Sequence, residues 1–512
     1  MDLKKNDEII VEIEDMSENG EGIGHVNGLT LFVKDALIGD LVRAGITKVK
    51  KTYCYARTIE ILEKGKDRTE PPCRIHRKCG GCQLQALSYE AQLRFKRKKV
   101  LDCFTRIGGF KDADSMEIKN GEGSVPDGFI RVEKTLGMEN PWNYRNKAQF
   151  PVGRDKEGKP VFGFYAGRTH TIIPTDSCHI EFEGHEKILE ALTDYINESG
   201  VSIYNEADGS GLLRHVLLRK GFATGEIMVV LVINGKKIKS PELLVRKLRS
   251  IESEDEIVSI QLNINTEKTN VILGRECITL YGRDYIEDMI GDIRFRISAL
   301  SFYQVNPAQT RVLYGETLNA CLGGDDSREK VNKTVWDMYC GIGTISLFLA
   351  KHFERVFGVE IIPQAIENAK ENARLNGISN TEFFVGAAEE VVPDLYKKEP
   401  EKYRADIVVV DPPRKGCDEQ LLETIVKMSP ERVIYVSCDP ATLARDCRFL
   451  ADNGYMVKKV QPVDMFPHSG HVESCVLLER VSNRKADSYV KLNVKMEDYY
   501  RIKDAEGGET DG

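Results

Sequence analysis

Long apolar stretches are missing from this chain of 512 residues. Its longest apolar run, Ile227 to Ile233, falls far short of the roughly 18 residues a membrane helix needs, so no membrane partner is expected. The first residues, Met1-Asp2-Leu3-Lys4-Lys5-Asn6-Asp7, contain no apolar h-region. A secretory leader is therefore not expected, and the expected location is cytoplasmic. Cysteines number 13, odd and scattered, which argues against a disulfide framework and leaves thiols for metal binding or catalysis. No internal repeat is visible. Positive charge is in deficit: 72 Lys and Arg stand against 80 Asp and Glu, a net −8.

That average conceals an asymmetry. Between Val42 and Arg106 there are 17 Lys and Arg against 6 Asp and Glu, a surplus of +11 that leaves −19 to the rest. A basic block on an acidic chain suggests a local polyanion site, and a solvated helix face is the plain alternative.

Length suggests about three domains and ample core. Over 1–61, alternation at Ile9, Val11 and Ile13, a glycine-rich turn and the run Leu29 to Val33 predict a small β-barrel. Residues 62–295 form a mixed α+β region. It opens on a cysteine-bearing loop and a basic amphipathic helix, Tyr89 to Arg106, which is expected to pack on the domain that follows, and strands are expected at Gly163 to Tyr165 and Gly225 to Ile233. A polar loop is expected over 111–128. From 296 to 480 the rhythm becomes strand–helix–strand, predicting an open, mostly parallel α/β sheet. Its strands are expected at 335–338, 356–360, 406–411 and 432–437, with helices at 344–353, 363–376, 421–428 and 441–453. A polar tail, 481–512, closes the chain.

Asp337-Met338-Tyr339-Cys340-Gly341-Ile342-Gly343 joins the first of these strands to its helix. Glycines allow a ligand close to the backbone, and Glu360, about 20 residues on, suits ribose hydroxyls. The loop lacks the full G-x-G-x-x-G of a pyrophosphate site, and Asp337 suits a cationic sulfonium. These features favour S-adenosylmethionine over a dinucleotide or a ligand-free turn. Asp411-Pro412-Pro413-Arg414 ends another strand in a rigid turn and aims Asp411 at the same crevice.

In Ser437-Cys438-Asp439-Pro440, Asp439 suits an N-cap and Pro440 the first helical position. Cys438 then sits beside a helix N-terminus, which is expected to lower its pKa toward the nucleophilic thiolate. A buried structural cysteine is the commoner case. Glu473, His468 and His471 precede the last apolar strand and are candidate bases.

These motifs, with Phe302-Tyr303-Gln304-Val305-Asn306 and His471-Val472-Glu473, occur in the order seen in S-adenosylmethionine-dependent RNA uracil-5 methyltransferases. The chain resembles that family over nearly its whole length. The resemblance implies a Rossmann-like methyltransferase domain, an OB-like TRAM barrel at the N-terminus and a central α+β domain. It also implies Cys438 as nucleophile, Glu473 as base, and Gln304, Tyr339, Glu360 and Asp411 as cofactor contacts. Thr344 stands where the family often has Asn, so no contact is carried over there. In such chemistry a thiolate adds to uracil C6, C5 takes the methyl group, and a base removes the C5 proton before the thiolate leaves. The uracil must leave its stack, so the RNA is expected to be single-stranded, looped or flipped.

Cys73, Cys79 and Cys82 supply three soft ligands within ten residues, and Cys178 suits a distant fourth, with His76 and His179 as possible substitutes. Spacing does not separate zinc from an iron–sulfur cluster. The resemblance implies a [4Fe–4S] cluster, as in the ribosomal-RNA branch, with a structural or RNA-shaping role. Arg74, Arg77, Lys78 and the helix from Arg94 to Lys99 would then face RNA. The expected partner is ribosomal RNA (23S) ahead of transfer RNA, and the expected state a monomer. A non-catalytic RNA-binding protein is the rival from another class.

Overall fold

The computed structural model describes residues 3–17, 19–115, 128–167, 169–323 and 330–481. The expected tail beyond Val481, and most of the expected loop over 111–128, lie outside the described residues.

The first strands are β1 (Glu8–Glu12), β2 (Asp15–Met16), β3 (Gly22–Val26), β4 (Leu29–Lys34), β5 (Leu41–Val49) and β6 (Tyr53–Glu63), ordered β1-β5-β6-β4-β3-β2. β1 pairs with β5 and β2 with β3, so one stretch of chain touches both ends of the sheet and closes it. Closure requires a glycine at position 24, where a Cβ would lie 2.5 Å from the Glu12 carbonyl oxygen. Alternate residues, among them Leu31, Val33, Val42, Cys54 and Ala56, fill the barrel. Helix α1 (Tyr89–Arg106) follows, then a short parallel pair, β7 (Lys111–Asp112) and β8 (Phe129–Ile130).

The central sheet consists of β9 (Lys147–Arg154), β10 (Pro160–Tyr165), β11 (Ile172–Pro174), β12 (Leu213–Lys220), β13 (Glu226–Ile233), β14 (Glu256–Ile264) and β15 (Glu276–Gly282). Its order is β11-β10-β9-β12-β13-β14-β15. Helices α2 (His185–Ser199) and α3 (Pro241–Arg249) cover one face. The apolar run of β13 is explained by burial on both faces. Ile227, Val229, Leu231 and Ile233 pack toward these helices, while Met228 and Val230 join the core of the C-terminal domain.

A hairpin, β16 (Tyr285–Ile290) and β17 (Ile293–Ser298), leads to α4 (Pro307–Leu322), capped by the Asn306 side chain on the Gln309 N–H at 3.1 Å. Then come β18 (Val331–Asp337), α5 (Thr344–Ala350), β19 (Phe353–Glu360), α6 (Pro363–Leu375), β20 (Thr381–Val385) and α7 (Ala388–Lys398). The domain continues with β21 (Ile407–Val410), α8 (Glu419–Met428), β22 (Arg432–Ser437), α9 (Pro440–Asp452), β23 (Tyr455–Val463) and β24 (Glu473–Arg480). The seven strands run β20-β19-β18-β21-β22-β24-β23. The first five in that order are parallel and β24 is antiparallel to both neighbours. Phe353, expected to end a helix, is fully buried and opens β19 instead. Helix α1 docks here: its Val100, Cys103 and Phe104 share a core with Leu443, Cys447 and Leu450 of α9.

Candidate active site

The strand order reverses direction between β18 and β21, and a crevice at the carboxyl ends of such strands is where doubly wound sheets hold ligands. Asp337 ends β18, Asp411 follows β21 and Cys438 follows β22. The register brings in Glu473. Ser437 pairs with Ser474 across β22 and β24, so Cys438, one residue on, and Glu473, one residue back, meet at the same edge. Asp439 caps α9 as expected, accepting from the Ala441 and Thr442 N–H groups at 3.0 and 3.1 Å. The Arg414 loop is tied to that helix, Thr442 Oγ1 donating to the Arg414 carbonyl at 3.1 Å.

This edge is crowded with acids. Burial pushes the Asp337 carboxyl up to about 6, although Ser346 Oγ donates to it at 2.6 Å. Burial, and then the charge of Asp337, raises Asp411; burial and Asp411 raise Glu473, against the pull of Arg414. The expectation of a lowered Cys438 pKa is overturned. Its half-buried thiol is pushed up to about 11 by burial and by Glu473 and Asp411, and Arg414 offsets only part of this. Burial and two carboxylates outweigh the pull of Arg414.

The loop after β18 fits a cationic ligand. Asp337 Oδ1 is buried with no hydrogen-bond partner, the kind of orphan a bound group would satisfy. Gly341 and Gly343 adopt φ of 54° and 83°, open to glycine at little cost. Glu360 is held by its own loop, Oε2 accepting from the Gly341 N–H at 3.2 Å and Oε1 from Ile362 at 3.0 Å. Tyr339 packs on the core beside Cys417. Gln304 is buried, its carbonyl accepting from Asn146 Nδ2 at 2.9 Å.

Residues 181–481 match the tRNA (Uracil-5-)-methyltransferase family, and residues 3–59 match the TRAM domain. The chain belongs to this RNA uracil-5 methyltransferase family. Uncharacterized RNA methyltransferases of Clostridium tetani and Halalkalibacterium halodurans are 47% and 48% identical to it, over 94% and 93% of this chain and 98% of each relative. The crystal structure of Pyrococcus abyssi tRNA (uracil-54, C5)-methyltransferase in complex with S-adenosyl-L-homocysteine is similar, with a TM-score of 0.69 at 26% identity. It covers 92% of this chain and 100% of that one. The protein is thus an S-adenosylmethionine-dependent RNA methyltransferase with a Rossmann-like domain and a TRAM domain.

Three expectations about this methyltransferase stand differently in the structure. First, the central metal cluster is not supported: among the described residues, no group of three or more His, Cys, Asp or Glu stands close enough to hold a metal ion. Cys73, Cys79, Cys82 and Cys178 do line one cavity of about 350 Å³, together with Arg145, Lys147 and Glu181. Second, of the basic residues of α1 expected to face RNA, Lys96 faces inward, while Arg94 and Lys98 are exposed and hold surface ion pairs. Lys96 is fully buried in an ion pair with Asp464 and donates to the Phe466 carbonyl at 2.9 Å. Arg94 pairs with Asp67, Arg97 with Asp114, and Lys98 with Asp15 and Asp102. Arg74, Arg77 and Lys78 are exposed. Third, His468 is no base. It is buried, stacked on Trp142 at 3.8 Å, bonded to Gln92, and its pKa is pushed down to about 4 by burial and then Lys96.

The same contacts reveal what sequence reasoning missed. The segment 464–472, which leads into Glu473, is gripped from every side. Asn306 holds the Met465 carbonyl, Tyr144 the Pro467 carbonyl, Lys99 the Gly470 carbonyl, and the Leu84 N–H donates to the His468 carbonyl.

Proposed function

We propose that the enzyme methylates C5 of a uridine in RNA through a covalent adduct, with Cys438 as nucleophile and Glu473 as general base. The observation that carries this reading is the β22–β24 register, which sets the two side chains together beside Asp411. S-adenosylmethionine, when bound, supplies the methyl group on a positively charged sulfur. Gln304, Tyr339, Glu360 and Asp411 are the residues we assign to holding it, with Asp337 beneath. Cys438 adds to C6, C5 takes the methyl group, and Glu473 removes the C5 proton so that the thiolate can leave. Arg414 favours the thiolate and opposes the carboxylates' field. Neutralising that field removes the part of the penalty on the thiolate that the carboxylates add to burial.

The test is transfer of labelled methyl to RNA from a strain lacking the enzyme, with mapping of 5-methyluridine. Cys438→Ala is expected to give neither product nor adduct. Glu473→Gln is expected to accumulate a methylated protein–RNA adduct that survives denaturing electrophoresis, with turnover down about 10²–10⁴-fold. Near-normal turnover in Glu473→Gln, or an adduct in Cys438→Ala, would overturn the assignment.

We assign 23S ribosomal RNA as substrate, on the resemblance of the cysteine spacing to the ribosomal branch. Transfer RNA is the alternative, favoured by the likeness to the Pyrococcus abyssi tRNA enzyme. Cys73, Cys79, Cys82 and Cys178 would hold a [4Fe–4S] cluster. The support is that all four line one cavity with two cations, Arg145 and Lys147, which offset thiolate charge. A cluster spreads its ligands over several irons, so its thiolates stand farther apart than around one ion.

A further inference from the structure

Helix α9 begins two residues after Cys438, and a carboxylate sits on its buried face. Leu443, Cys447 and Leu450 are the apolar neighbours there, and Asp446 among them is 1% exposed. Burying a carboxylate is costly unless its oxygens are bonded. Here Oδ2 accepts from the Tyr435 hydroxyl at 2.6 Å and from the Cys417 N–H at 2.9 Å, while Oδ1 accepts from Arg445 Nε at 2.7 Å. Tyr435 belongs to β22, the strand that runs into Cys438. Cys417 belongs to the loop after β21, which carries Arg414. Three donors converge, so the position calls for a side chain that only accepts. An Asn would turn its own N–H groups toward one of them.

Further contacts lay the Arg414 loop along the same helix. Thr442 Oγ1 donates to the Arg414 carbonyl and Arg445 Nη2 to the Lys415 carbonyl, both at 3.1 Å. Gly416 has a φ of 80° and lies against Asp446, where a Cβ would stand 2.6 Å from Oδ2. Its N–H closes a turn on the Pro413 carbonyl at 2.9 Å. The backbone of residues 414–417 is thus fitted to α9, residue by residue. The start of α9 is fitted to Cys438, because Asp439 caps it. One rigid element therefore sets both members of a pair, the exposed Arg414 and the half-buried Cys438. Burial, Glu473 and Asp411 act against the Cys438 thiolate; the charge and hydrogen bond of Arg414 act for it.

We propose that Asp446 is a positioning residue for the reaction: it clamps the turn 414–417 onto α9 and so keeps the Arg414 side chain on the Cys438 thiol. The proposal rests on the reading of Cys438 as the nucleophile. An exposed arginine has much rotamer freedom, and a protein limits that freedom most directly by fixing the backbone beneath it. Asp446 bonds to Tyr435, Cys417 and Arg445, so its effect on the thiol passes through Arg414. A carboxylate kept for stability alone would have no such route to the nucleophile.

The thiolate can be read directly. In full-length protein without cofactor, iodoacetamide alkylates Cys438 at a rate set by its thiolate fraction, followed by mass spectrometry of that peptide. Arg414→Gln is expected to slow this rate about tenfold, the equivalent of one unit in the thiol pKa. Asp446→Ala is expected to slow it by nearly the same factor and to lower methyl-transfer turnover about tenfold or more. Combining the two should slow alkylation no further than Arg414→Gln alone, because one change acts through the other. Thr442→Val removes the hydroxyl on the Arg414 carbonyl at a half-buried position. It is expected to slow alkylation about threefold, and not at all once Arg414 is gone, so it carries the test if Asp446→Ala does not fold. Unchanged or faster alkylation in folded Asp446→Ala or Thr442→Val, or a full additional loss in the combined variants, would overturn the proposal. That result, with Cys438→Ala inactive, would leave the nucleophile standing. Methyl transfer surviving in Cys438→Ala, with the coupling observed, would remove the nucleophile and leave Asp446 holding Arg414.

Discussion

Cys438 and the four cysteines of the central cavity are all half-buried thiols, yet they have different charged neighbours. Cys438 faces Glu473 and Asp411, with Arg414 as the opposing cation. The other four share their cavity with Arg145 and Lys147, and its carboxylate, Glu181, is already paired to Arg145 at 3.1 Å. A thiol among acids resists ionisation until something positive enters. In the cavity, burial raises Cys79, Cys82 and Cys178 as well, with Glu181 adding to Cys178 and Arg145 offsetting part at Cys82. The residue type is the same, and on our assignment one site serves chemistry and the other structure.

The strongest test of that division exchanges the losses. Cys79→Ser is expected to abolish iron binding by protein purified without oxygen, from about four irons per chain to none, as a [4Fe–4S] assignment requires. Cys438→Ala should keep the iron and lose all turnover. Metal analysis and methyl transfer read the two independently, and stoichiometric zinc in colourless protein would break the contrast. A buried cation can also be purely structural, and Lys96 is the case in point. Lys96→Met strands Asp464 without its partner and is expected to cost about 3–5 kcal/mol in denaturant unfolding. Adding Asp464→Leu should recover most of it.

Arg414→Gln removes the cation at the nucleophile. Turnover is expected to fall about 10²–10³-fold with S-adenosylmethionine affinity unchanged. The smallest effect concerns pH. Only between the ordinary carboxylate range and their raised values do Asp337, Asp411 and Glu473 hold protons that the unfolded chain has already released, and above that window Glu473 is the carboxylate that can act as base. Their contribution to stability is present below the ordinary carboxylate range and lost as pH rises through the raised values. The cofactor-free enzyme should therefore lose melting temperature between pH 5 and pH 8.5. S-adenosylmethionine should gain on S-adenosylhomocysteine, which lacks the charge, about tenfold for each unit of carboxylate shift it reverses. A pH-independent ratio of the two affinities would show that the acids are not what greets the sulfur.

Much of the C-terminal sheet was legible because parallel strands, buried on both faces, read as apolar runs ending in the residues that matter. The edges at Asp337, Asp411 and Cys438 were found that way. α1 was also legible in its extent, Tyr89 to Arg106. Its role was not. Charge can be counted from sequence, but Lys96 meets Asp464 across 368 positions, and no local pattern marks a lysine for burial. The pKa of Cys438 failed for the same reason. The capping geometry is local and was read correctly, whereas Glu473 reaches the thiol only through strand pairing. The central sheet went largely unread. Its strands pair antiparallel except for β13 with β14, and alternation is masked where both faces are covered.

The place of β24 has a consequence for synthesis. It is threaded between β22 and β23, although both are made before it. While the ribosome is still translating those residues, the barrel can already close, since its strands are all local and early. The C-terminal sheet cannot. Until Glu473 to Arg480 emerge, β22 presents an unpaired edge and β23 has only the isolated bridges from Val132 and Leu136. A message truncated shortly before codon 473 would thus yield a chain with a finished RNA-binding barrel, an open, aggregation-prone edge and no base, a product for the quality-control proteases.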